Sequence, residues 1–280
     1  MIPIDRRWLH RCAVLLAVAG LVAIITGDAF TTNEERPLYS FGQSHLWVGV
    51  FAGVLTIGLV AWLLLTEKRV WMRRLAWVAL AIGIAESALG FITLPQPPSI
   101  RFAHAFLAQL FFAVTAAIAV FTSRAGAQVP VVAAGRRSLR PLAMITAVVV
   151  LVQAALGVAF RHGIIDVIPH VLGALVVAIV VAALAMSVLY RPEHEPLRPA
   201  GATLLVITGA QVFIGLTLFT IGLGADVDPE AVIVVTMVHA AAAALTLAAT
   251  GVAVILILRS VPTRTDVSAS GRAGSGVPFQ

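Results

Sequence analysis

The stretch VQAALGVAFRHGIIDVIPHVLGA, Val152 to Ala174, decides the fold. It joins two apolar runs, 141–160 and 167–190. Each is close to the roughly 20 residues that an α-helix needs to cross about 30 Å of hydrocarbon. Neither run alternates with the period of two that marks a half-buried strand. In lipid, backbone polar groups must be satisfied within their own segment or in a closed barrel, so long unbroken runs read as helices. The stretch is therefore the turn of a transmembrane hairpin. Gln153 and Gly157 stand four residues apart at the end of one span, and His170 opens the next.

Working outward, the same pattern recurs three times. It reads AIITGDAF…GQSHLWVGV around Gly27 and His45, AESALGFITLPQPPSIRFAHAFLA around Gly90 and His104, and AQVFIGLTLF…VTMVHAAAA around Gly215 and His239. Glu86, Gln153 and Gln211 stand four residues before their glycines, where the first copy has Ala23. Four residues after the histidines, one turn along the same helix face, come Gly49, Ala108, Ala174 and Ala243. All four are small, as a flat macrocycle held by an imidazole would require of the next turn.

The pattern predicts an all-α polytopic membrane protein of eight transmembrane helices, at about 12–28, 45–66, 75–94, 103–123, 141–160, 167–190, 201–222 and 231–258. The first is read as a retained span and not a cleaved signal, because no small-x-small site follows it. Two hairpins make a four-helix half, so residues 1–130 and 138–260 are expected as two parallel four-helix-bundle repeats joined by the basic stretch Arg124–Arg140. Residues 261–280, rich in Ser, Gly and Thr, read as a disordered cytoplasmic tail.

Composition agrees. Hydrophobic residues make up 60% and charged residues 11% of the 280, with mean hydropathy +1.00; a soluble domain averages about 25% charged. All but three of the 19 Lys and Arg fall on one side of the spans, the exceptions being Arg36, Arg101 and Arg161. That bias places both termini in the cytoplasm of a multi-pass plasma-membrane protein, and the even-numbered spans enter from outside. The net charge of +6 is thus a topology signal, and no basic patch interleaved with aromatics points to nucleic acid. Trp47 is expected in the outer interfacial belt, and Trp71 and Trp77 in the inner one. The single cysteine, Cys12, excludes an internal disulfide and a cysteine metal cage.

A histidine inside a span is a functional candidate because burying an ionisable group in hydrocarbon is costly. Four at similar depth on alternating helices fit haem, whose iron takes an axial imidazole on each face. His45 would pair with His104, and His170 with His239, the histidines themselves being the iron ligands. A bare zinc or copper site would call for three or four close ligands. Arg101, Arg36 and Arg161 are candidate partners for haem propionates, or ordinary flanking charges. Glu86 reads as a neutral hydrogen-bonding group equivalent to Gln153 and Gln211, with a proton relay or ion site as the alternative. His10 and His194 read as solvated cytoplasmic residues, and His162 is left open.

On these residues, with the Gln153–Gly157 turn and its echoes, the chain resembles the heme A synthase family over about residues 10–260. The resemblance implies a b-type haem between His170 and His239. It implies that His45 and His104 form the site where the family oxidises the methyl group of haem O to make haem A. Leu46 and Val171 follow histidines where the family's enzymes carry Arg, Gly42 stands where they carry a Glu, and cysteines of the first outer loop are absent. The expectation is accordingly a haem-binding membrane protein holding one or two b-type haems. It would transfer electrons in a respiratory complex or in oxidase assembly, with the subunits of such a complex as partners beside the lipid bilayer. An active heme A synthase, with haem O or haem A in the amino-terminal half, is the second expectation, and a haem-free transporter or structural subunit the third.

Overall fold

The computed structural model of the chain describes residues 6–32, 39–92, 96–127, 139–222 and 228–260. The expected tail, Arg36 and most of the Arg124–Arg140 linker lie outside them. The described residues are helical throughout apart from short turns. The elements are α1 (Arg6–Thr32), α2 (Tyr39–Thr66), α3 (Val70–Gly90), α4 (Pro98–Thr122), the single turn α5 (Arg124–Ala127), α6 (Arg140–Arg161), α7 (Val167–Leu189), a 3₁₀ turn Pro192–Leu197, α8 (Arg198–Gly222) and α9 (Pro229–Ser260). Among the described residues, seven of the eight long helices are long and apolar enough to cross a membrane. The other, α3, has 21 residues but carries Arg73, Arg74 and Glu86. The chain is a multi-pass, all-helical membrane protein.

Helix starts follow local chemistry. Pro98 opens α4 at a position where a missing N–H costs nothing, after Pro97 in extended conformation. Gly163, at φ 68°, is the residue with positive φ that ends the α6 hairpin turn. In each half the long helices pack as a closed cycle: α1 on α2, α2 on α3, α3 on α4 and α4 on α1, then α6 on α7, α7 on α8, α8 on α9 and α9 on α6. The halves meet where α9 packs on α1 and α4, and where α4 touches α6.

The buried interior is split accordingly. One cluster, around Leu16, Leu59, Met72, Ile118 and Phe121, also takes in Ala244 and Ala248 of α9. The other, around Leu139, Val181, Leu184 and Leu204, takes in Leu247, Val254 and Ile257 of the same helix. α9 is the seam, and its alanines let neighbouring backbones approach closely, the usual basis of helix association in lipid. Large apolar side chains such as Val54, Leu172, Ile179 and Phe213 face outward, as a lipid solvent favours. Trp47 and Trp77 are exposed. Trp71 is instead half-buried, edge-on to Phe121 at 5.0 Å with the Arg259 guanidinium 4.4 Å over its ring.

Two expectations about histidines are corrected. His194 is 1% exposed because the 3₁₀ turn folds it back onto α7, where Nδ1–H donates to the Ser187 carbonyl at 3.2 Å. His10 is also engaged, its Nδ1 lying 3.0 Å from the Ala119 carbonyl at the end of α4.

Candidate functional site

Antiparallel hairpins bring the ends of α1, α3, α6 and α8 beside α2, α4, α7 and α9 respectively. The glycines and histidines of the repeat meet there. A Cβ placed on Gly27, Gly90, Gly157 or Gly215 would lie 2.9, 3.0, 3.0 or 2.8 Å from Cε1 of His45, His104, His170 or His239 respectively. Each glycine is thus the floor on which an imidazole lies, and a side chain there would push the ring away.

The residue one turn before each glycine then meets the ring. His45 Nδ1–H donates to the Ala23 carbonyl at 2.9 Å, and His104 Nδ1–H to the Glu86 carbonyl at 3.0 Å. A carbonyl only accepts, so these bonds fix the proton on Nδ1 and leave Nε2 with its lone pair. The Glu86 carboxylate itself stands 3.9 Å from the same Nδ1. In the second half, side chains replace carbonyls. Gln153 Nε2 donates to the His170 carbonyl at 3.0 Å and lies 3.1 Å from Nδ1. Gln211 Nε2 lies 3.3 Å from Nε2 of His239. A terminal amide can turn either its N–H or its oxygen to the ring, so it serves either tautomer. Gln153 Oε1, Gln211 Oε1 and His239 Nδ1 are buried without a hydrogen-bond partner.

The histidines are brought together in the pairs expected. His45 and His104 have ring centroids 5.9 Å apart and planes at 81°, and His170 and His239 are 6.2 Å apart at 84°. An imidazole nitrogen sits about 2.0–2.1 Å from a bound metal ion, so two imidazoles on opposite sides of one ion place their centroids roughly 6 Å apart. Phe160 stacks on His170 at 6.0 Å.

One mostly apolar cavity of about 2320 Å³ reaches all four histidines, along with Gly49, Ala108, Ala174 and Ala243. It is more than twice the upper end of the usual 300–1,000 Å³ range for a small-molecule site. Around Gly49 there is open space, with no atom within 4 Å of where a Cβ would be. Arg101, Glu86, Gln153, Gln211 and His162 also line it. Arg161 lines it too, but its Nε donates to Asp28 Oδ1 at 3.2 Å and its Nη2 to Thr31 Oγ1 at 3.2 Å, tying α6 to α1 across the seam. In the sequence Asp28 is marked only by its place directly after Gly27. Among the described residues no group of three or more His, Cys, Asp or Glu comes together.

No family model matches the chain, and no curated protein matches it in sequence.

Proposed function

We propose that this chain is an eight-span membrane haem protein, with α3 as the eighth span and the halves as two parallel four-helix repeats. Each histidine pair is a bis-imidazole site for a b-type haem. The observation that carries the reading is the paired imidazoles at 5.9 and 6.2 Å, each laid on a glycine with a polar group against a ring nitrogen. Such partners orient ligating histidines and raise their basicity. The residues fit the group in three ways: the centroid spacing, the small residues one turn beyond each imidazole, and the orphaned polar atoms of the second half. When bound, haem between two imidazoles supplies one-electron transfer.

The chain's own residues then have separable tasks. The histidines ligate; Gly27, Gly90, Gly157 and Gly215 give the rings room. The Ala23 and Glu86 carbonyls, with Gln153 and Gln211, set their orientation. Arg101, one turn before His104, is placed to meet an acidic edge. The apolar cavity wall keeps water from the pair. The protein sits in the plasma membrane with cytoplasmic termini and serves electron transfer linked to a respiratory complex or oxidase assembly; oxidation of haem O is the alternative on the same scaffold.

The test is haem extraction from detergent-purified protein, quantified as the pyridine haemochrome. One or two b-type haems per chain is the expected result, and haem O or A among them moves the reading to the synthase. Colourless protein from a haem-replete host overturns it and turns attention to Glu86 and transport.

A further inference from the structure

The last residue of α6 belongs to the second half but is fastened to the first. Arg161 bonds Asp28 and Thr31 of α1, and Asp28 directly follows the glycine under His45. The next residue is His162. Its N–H is spent on the Val158 carbonyl at 3.1 Å, and Gly163 then turns the chain away. This turn holds the His162 side chain on the wall of the cavity that Arg101 and His104 also line. Within the described residues neither ring nitrogen of His162 is hydrogen-bonded, although the side chain is half-buried.

We propose that His162, carried by the carboxy-terminal half, completes the amino-terminal site by hydrogen-bonding the polar, acidic edge of the ligand held between His45 and His104. The inference rests on the haem reading above. Burial first, then the positive neighbours Arg161 and Arg101, push the His162 imidazole down to about 4. At neutral pH it is an uncharged ring with one donor and one acceptor. Arg101 supplies charge to a carboxylate edge and His162 a directed N–H. The amino-terminal site is therefore built from both halves, and the Asp28–Arg161 pair is what aligns them. His162 is a binding residue, and Asp28 and Arg161 are positioning residues.

The test uses full-length holoprotein with H162L, H162Q and D28N, and measures haem loss to excess apomyoglobin. The amino-terminal signal is the part of the spectrum that H45A removes. H162L and D28N should speed loss of that component 10- to 100-fold, the range for removing an outer partner of a bound metal centre. The component that H170A removes should be unaffected, and H162Q, which keeps a donor, should stay within a few-fold of wild type. Unchanged loss in H162L overturns the proposal, as does equal loss from both sites or a wild type in which H45A removes no haem. A wild type with no haem at all overturns the haem reading itself, a result distinct from these.

Discussion

Gly215 lies so close beneath His239 that a Cβ on it would come within 2.8 Å of the ring's Cε1. The same relationship holds in the other three hairpins, so glycine is required there by contact and not by backbone conformation. Overpacking a well-filled site costs about 1–3 kcal/mol, and here the strain falls on a ligating ring. G157V and G215V should each abolish or broaden the signal of the carboxy-terminal haem while far-ultraviolet dichroism stays helical. Gly251, with open space around it, is the control; G251A should leave the spectrum unchanged.

The two halves hold their histidines differently, and substitution should separate them. Q153L and Q211L remove the amide that lies against Nδ1 of His170 and Nε2 of His239, and a 10- to 100-fold weaker hold on haem is expected from loss of such a partner. E86Q should have little effect on haem retention, because the backbone carbonyl of residue 86 already takes the His104 Nδ1–H. Haem-loss rates of the three variants check both statements. A large effect of E86Q would mean that the carboxylate itself is needed.

The helices were legible from apolar runs, and the repeat from its Gly and His. What lay beyond sequence is backbone chemistry and distance. Ala23 looked like the exception to an amide pattern, yet its carbonyl does for His45 what Glu86's does for His104. No side-chain pattern can reveal a carbonyl. Asp28 and Arg161 are 133 positions apart, and only the packing of α6 against the first half brings them together. His194 reads from sequence as a solvated cytoplasmic residue, and the 3₁₀ turn Pro192–Leu197 buries it. The role of α9 as the seam was hidden because its alanines face both halves, which leaves no one-sided pattern to read.

His162 gives a pH prediction. Its folded value, about 4, lies below the ordinary 6.5, so between those values the unfolded chain binds more protons than the folded one. Stability from this group is therefore complete above about pH 6.5 and falls as the pH drops toward 4. H162Q should flatten that limb of a detergent-solubilised melting-temperature profile. An acid limb of unchanged slope would assign the loss to other groups.

The most direct measurement is low-temperature electron paramagnetic resonance of the oxidised protein. Imidazole planes at 81° and 84° should give the strongly anisotropic low-spin ferric signal of perpendicular axial ligands, one contribution lost in H45A or H104A and the other in H170A or H239A. A high-spin signal, a low-spin signal unaffected by those four substitutions, or no ferric haem signal at all would contradict the account.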